Sequence, residues 1–464
     1  MICRNSRLKR RGAAYVLALV LLVVFMAMAA AFSSLTTLSA RMSGNMADVH
    51  RARTTAEGGL AFMANVIRSL RLPSDTSNDN VIANLATALA QQLNATGNLG
   101  GATVTSDATT VNVPSIGTDD GRFETRIVRT ADQKLTIEVC GLADQARAAV
   151  AVQLVYNTNP VNTAFDYGIA GKGPISIGGN AEIRGQNQLT EASVISVTEQ
   201  DVAVSVEGNS ILDGDISSVG ADTSVVISGS PTIAGSQDPA VIAQHVHFGV
   251  DAPIFPTVDT SIFKPLATTV IDAGTDTSQK GTVFDNPIIR AGVNPTFASD
   301  VVLNGVVYIE APNIVNFAGK VTLNGLVATD DTELGIQSCK ISFAGQVDAF
   351  GVSALPDDPQ FVPVKELIGT FIAAPGFDVS FAGQFTTING TIAADMLTFS
   401  GQAEGTVQGS VIGLADHPVS IHGTVSIYID QSSSSDDDAG FLMPVLLDVD
   451  AGTYQEVVPA SGSW

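Results

Sequence analysis

Basic residues, cysteine and tryptophan are all scarce in this 464-residue chain. Lys and Arg total 23 against 46 acids, a formal net charge of −23. That balance excludes a free nucleic-acid binder, because gripping phosphates needs a basic face. The three cysteines, Cys3, Cys140 and Cys339, make no disulfide framework. Cys3 lies among the first residues, so only Cys140 and Cys339 could pair, and two buried thiols are expected instead. Charged residues are only 15% and apolar residues 45%, too apolar a mixture for a disordered chain. Nothing resembles a nucleophile elbow or a phosphate loop, and the glycine-aspartate repeats of a calcium-filled roll are absent.

What is present is concentrated at the N-terminus. Residues 1–72 carry 10 basic and 2 acidic side chains, and the remainder carries 13 and 44, balances of +8 and −31. Such a split suits a basic membrane-proximal end and an acidic body. Behind Arg4, Arg7, Lys9, Arg10, Arg11 and Gly12 come 20 apolar residues, 13–32, enough at 1.5 Å each to cross a ~30 Å hydrocarbon core. Leu17, Leu19, Leu21, Leu22, Val24 and Phe25 are the expected membrane contacts. The basic flank should stay cytoplasmic and place the rest outside. A cleaved secretory signal ending near Ala29-Ala30-Ala31 is the rival. Against it, the run exceeds the ~7–15 residues of a signal core. Helical spacing also continues through Leu35, Leu38, Met42, Val49, Ala56, Leu60, Met63, Ile67 and Leu70. Pro73 ends the pattern, which predicts one long helix over 13–71.

Gly12 followed by an apolar helix, then Arg41-Met42-Ser43-Gly44-Asn45 and Ala56-Glu57-Gly58-Gly59-Leu60, resembles the start of type IV pilin-like proteins, in particular the PilX-type N-terminal region of minor pilins. The likeness covers about 60 of the 464 residues. It implies cutting by prepilin peptidase between Gly12 and Ala13 and packing of the apolar helix with other pilin-like subunits. Ala56, Glu57, Gly58 and Leu60 are the expected helix-packing residues. Leu17 stands where major pilins carry a glutamate, a departure that bears on a bulk-subunit role.

Beyond the anchor, residues 78–94 read as a short amphipathic helix with Ile82, Leu85, Leu89 and Leu93 on one face. Alternating runs between 102 and 156 predict an antiparallel meander. Together they make a small α+β head over 72–158. From about residue 165 a repeat of apolar-x-Gly-x-x-x-apolar-x-Gly appears. It begins at Ile177, Val206, Ile227, Phe317 and Phe343, with looser copies at Phe381, Phe399 and Ile421. This pattern predicts a right-handed parallel β-helix (β-solenoid) over 159–430, with Phe317, Phe343, Phe381 and Phe399 laddered inside. A β-sandwich is the rival architecture. Pro239, Pro253, Pro256, Pro265, Pro287 and Pro295 mark an excursion over 236–300, lying on one face of the solenoid. Residues 431–464 read as an acidic linker and tail, its Phe441–Val449 run capping the solenoid.

The fold class expected is therefore mainly β: a long transmembrane and amphipathic α-helix, a small α+β pilin-like head, and a large solenoid. No cofactor is expected. His245 and His247 with Asp251 form the best metal-like group, read more simply as hydrogen-bonding histidines that anchor a loop. Asp330, Asp331 and Glu333 could serve sugar cleavage but look more like a polar turn. The expected function is non-enzymatic: a minor pilin or pilus-assembly component in the bacterial cytoplasmic membrane, single-pass, with its body extracytoplasmic or in a surface filament. Possible partners of the body are a surface glycan or protein. The alternatives are a polysaccharide-active β-helix enzyme and a secreted surface-layer protein.

Overall fold

The computed structural model describes residues 10–74, 76–118, 121–157, 163–433 and 438–459. The chain divides into two compact units, residues 1–158 with 445–464, and residues 159–444.

In the first unit a single helix runs from Arg10 to Ser69, 60 residues and about 90 Å long. Its stripe changes role along its length. Leu35, Leu38, Met42 and Val49 are exposed, whereas Ala52, Ala56, Met63 and Ile67 are fully buried. The buried half lies on a six-stranded antiparallel sheet with strands Thr105–Ser106, Thr110–Thr118, Gly121–Ala131, Lys134–Ala143, Ala146–Asn157 and Leu446–Val457. Two-residue turns at Asp132-Gln133 and Asp144-Gln145 connect the central strands, with positive φ at Gln133 and Asp144. The helix Val81–Ala95 adds Ile82, Leu85, Leu89 and Leu93 to the same core.

The second unit is a three-sided parallel β-solenoid, with sheets termed here A (including Pro287–Ile289, Val411–Gly413 and Ile169–Gly171), B (including Thr282–Asp285, Val347–Ala349, Phe385–Asn389 and Glu404–Gln408) and C (including Asn313–Phe317, Cys339–Phe343 and Val419–Gly423). The repeat read from the sequence is its turn. Val206 pairs with Ile177 on one side and Ile227 on the other, and Leu212 pairs with Ile183 and Ile233. The glycines that close each half-repeat stack as well. Gly208 and Gly229 have φ of +75° and +88°, and a Cβ on either would lie 2.5 Å from the carbonyl oxygen one turn below. Left-handed backbone and close approach both demand glycine there. Phe317, Phe343, Phe381 and Phe399 form the interior ladder, with centroids 4.9–5.0 Å apart and planes within 11°. Phe297 extends it by one ring.

The order of turns in space differs from their order in the chain. The strand Val411–Gly413 pairs with Ile169–Gly171, Val419–Gly423 with Ile175–Gly179, and Ser426–Ile429 with Glu182–Gly185. The last turn of the sequence thus stacks on the first. The chain enters mid-stack, climbs to Val246–Phe248, returns to the far end, and descends from Thr269–Ile271 to the middle again.

Two expectations are corrected by this path. The stretch 236–300 is not one excursion: it alternates segments off the stack, the longest of them 249–268, with strands in it. Val246–Phe248, Thr269–Ile271, Thr282–Asp285, Pro287–Ile289 and Thr296–Phe297 are solenoid strands. Pro287 starts its strand and Pro295 precedes one, positions that need no ladder N–H. The tail is also more than a linker or cap. Phe441–Leu442 pairs with Thr257–Val258, and Leu446–Val457 pairs with Ala146–Asn157 as the sixth strand of the first unit's sheet. Both pairings join segments more than 180 residues apart, which no local pattern announces.

The return segment explains the composition of sheet A. Its strands are apolar on both sides. Val307 and Ile309 face the interior, while Val306, Tyr308, Leu326, Ala328, Ala373 and Ile412 belong to an outer core with Phe263, Phe361 and Phe441. Strands covered on both faces read as unbroken apolar runs. Pro253, Pro256 and Pro265 suit an extended strap that makes few backbone hydrogen bonds.

Candidate functional site

The helix is the first candidate. Leu17 is 65% exposed, and Leu19, Leu21, Leu22, Val24 and Phe25 are similarly uncovered. Tyr15–Ser69 is long and apolar enough to cross a membrane. Ser34 Oγ donates to the Ala30 carbonyl at 2.9 Å, and Thr37 Oγ1 to that of Ser33 at 2.7 Å, so these hydroxyls are bonded within the helix rather than to water. Gly12 and Ala13 lie in its opening turns, while residues 1–9, with the start of the basic cluster, are outside the described residues.

The four expected packing residues divide. Ala56 is fully buried against its own sheet, and Leu60 is half-buried in the same core. Glu57 and Gly58 face outward. The Glu57 carboxylate accepts from Arg53 Nε at 3.0 Å, so part of its charge is neutralised on its own helix. Two glycines outside the predicted set do the close packing. A Cβ on Gly59 would lie 2.5 Å from the Phe123 ring, and one on Gly141 would lie 2.0 Å from the Ala52 carbonyl oxygen.

On the solenoid, His245 and His247 do converge, but on Asp215 rather than Asp251. His245 Nδ1 lies 2.7 Å from Asp215 Oδ1, and His247 Nε2 lies 3.3 Å from Oδ2. One carboxylate thus clamps the loop after Pro239–Ile242 onto the turn below. Among the described residues no group of three or more His, Cys, Asp or Glu is arranged to hold a metal ion. Asp215 follows Asp213-Gly214 in the repeat, and only stacking reveals it as the partner.

Asp330 is committed to structure. Its Oδ1 accepts from Lys264 Nζ and from the Tyr308 hydroxyl, each at 2.9 Å, and its Oδ2 accepts the Ala311 N–H at 3.1 Å. Burial opposes its ionisation, but the Lys264 ammonium and the two other donors outweigh it and hold the carboxyl below its ordinary range. Burial first, then this carboxylate, push the Tyr308 hydroxyl well up. Asp330 and Asp331 line a cleft of about 640 Å³ beside Asp259, Thr260 and Lys264. A carboxylate tied to three donors is poorly placed to exchange protons with a substrate. Cys140 and Cys339 are free and buried, in different units, and burial raises both thiols.

Residues 11–61 match the family model described as PilX N-terminal. Among solved structures, the competence-associated pilin ComZ from Thermus thermophilus is similar, at 12% identity and a TM-score of 0.29, covering 88% of this chain and 98% of that chain. No curated protein matches. The matched residues coincide with the exposed apolar helix and its first buried turns. The chain therefore carries a PilX-type, pilin-like N-terminal region followed by a β-solenoid body.

Proposed function

We propose that this protein is a minor pilin or pilus-assembly component, held in the bacterial cytoplasmic membrane by its N-terminal helix and presenting the solenoid outside, in adhesion. The observation that carries the reading is the coincidence of the PilX N-terminal match over 11–61 with a helix whose outer 35 or so residues have no protein cover. So much uncovered apolar surface needs lipid or neighbouring helices. Prepilin peptidase would remove the leader after Gly12, and lateral packing with other pilin-like subunits would draw the helix into a filament. The basic leader keeps the N-terminus cytoplasmic. A rigid, acidic, cooperatively stacked body suits display and needs no catalysis for it.

The mature N-terminus tests this, by intact mass and terminal sequencing of the membrane fraction. A start at Ala13 is expected. A start near Phe32 would mean a secreted solenoid with no anchor, and the reading would fall.

A further inference from the structure

Sheet B turns a row of polar side chains outward, and the row breaks at one place. Asn324 Nδ2 donates to Asn304 Oδ1 at 2.9 Å, and Asn304 Nδ2 donates to Asp285 Oδ1 at 2.7 Å. The pairing of Leu323 with Ala349 puts Phe350 next in the row, where another amide would continue it. Asn389 follows Phe350, and Gln408 follows Asn389. Phe350 is 49% exposed. Its N–H is fixed on the Leu323 carbonyl at 2.9 Å. It stands in a cavity of about 580 Å³ with Gln346, Asp348, Ala349, Thr387 and Asn389.

The polar groups around the ring are unequal. Asp348 is committed, to Lys320 Nζ at 2.8 Å and Gln346 Nε2 at 3.1 Å. Among the described hydrogen bonds the side chains of Thr387 and Asn389 have no protein partner, and Asn324 Oδ1 accepts none. The cavity therefore offers an aromatic face, two uncharged hydrogen-bonding side chains and an acid already neutralised. Its volume falls within the ~300–1,000 Å³ of small-ligand sites.

We infer that this cavity binds a neutral glycan, with a sugar ring stacked on Phe350 and its hydroxyls bonded to Asn389 and Thr387. A flat apolar face ringed by neutral donors and acceptors matches a sugar, which has C–H on its faces and O–H on its rim. A peptide adding to the sheet would need open N–H and C=O groups. Here the strands Val347–Ala349 and Phe385–Asn389 are paired on both sides within the stack. The balance of −31 beyond residue 72 repels uronic, sulfated or sialylated chains. The inference rests on the proposed function only for the side of the membrane on which the glycan is met.

The test uses the full chain in lipid nanodiscs, since glycoside detergents would compete. The probes are immobilised oligosaccharides of glucose, mannose, galactose and N-acetylglucosamine, with their uronic and sulfated counterparts. At least one neutral series should bind. Phe350→Ala should weaken it about tenfold or more, and Phe350→Trp should retain it. Asn389→Ala, which spares the aromatic face, should cost about two- to tenfold. Failure of every neutral series to bind overturns the inference, as does indifference to both Phe350→Ala and Asn389→Ala, or binding of the anionic series alone. Glycan binding lost with a mature start at Ala13 sinks this site and leaves the pilin-like reading standing. Glycan binding with a start near Phe32 does the reverse.

Discussion

A Cβ built on Gly141 would lie 2.0 Å from the Ala52 carbonyl oxygen and 2.5 Å from the Ala56 amide nitrogen, while one on Gly58, two residues further along the same helix, meets nothing within 4 Å. Gly141 is the point where the sheet touches the helix backbone, and added volume there must push the two apart. Gly141→Ala is expected to destabilise the first unit by about 2–3 kcal/mol, at the upper end for overpacking. Gly58→Ala only removes glycine from an exposed helix interior and should stabilise by about 0.5–1 kcal/mol. Urea unfolding of the full chain in nanodiscs, followed by the helical circular-dichroism signal, measures both. If Gly58 is also a contact between subunits, Gly58→Ala should lower filament incorporation while raising chain stability, a combination that a merely exposed residue would not produce. The sequence marked the Ala56–Leu60 cluster but not Gly141. The reason is physical: Gly141 matters only because the Lys134–Ala143 strand crosses the helix there, and that crossing has no local signature.

At the level of elements, the phenylalanine ladder is the feature most fully legible beforehand. Each ring sits at the same place in a repeat, so spacing alone put Phe317, Phe343, Phe381 and Phe399 in one column. The column continues through Ile421, Ile177, Val206 and Ile227. Phe343 has a stacked ring on each side, at 4.9 Å. Phe343→Ala would open a cavity between two rings and should cost about 3–5 kcal/mol, and Phe343→Leu distinctly less. Because turns are stabilised by their neighbours, the loss should lower the denaturant midpoint of the whole solenoid rather than melt one turn. A separate early transition confined to a few turns would contradict that. The strap over sheet A was only half legible. The prolines mark an irregular path lying on one face. They do not tell where the path leaves the stack and where it rejoins it. Asp215, the clamp on His245 and His247, was hidden for the same reason: partners one turn apart in space are about 30 residues apart in sequence.

For the whole molecule, the consequence of most weight is that the solenoid is continuous where the chain is not. Ser176 pairs with Ser205 of the following turn and with Ser420, which lies 244 residues later. If turns stacked in chain order, residues 176 and 420 would stand near opposite ends, on the order of 40–50 Å apart at the spacing of parallel strands. A disulfide forms only when its Cα atoms come within about 7 Å. The pair Ser176→Cys with Ser420→Cys, in a Cys3→Ser background, should therefore oxidise to an intrachain cross-link, read as a reducible shift on a gel and a loss of two hydrogens by mass. The buried native thiols Cys140 and Cys339 should stay out of the exchange. Ser176→Cys with Ser205→Cys is the control, since both stacking orders place those residues side by side. A control that cross-links beside a 176–420 pair that does not would refute the mid-stack junction.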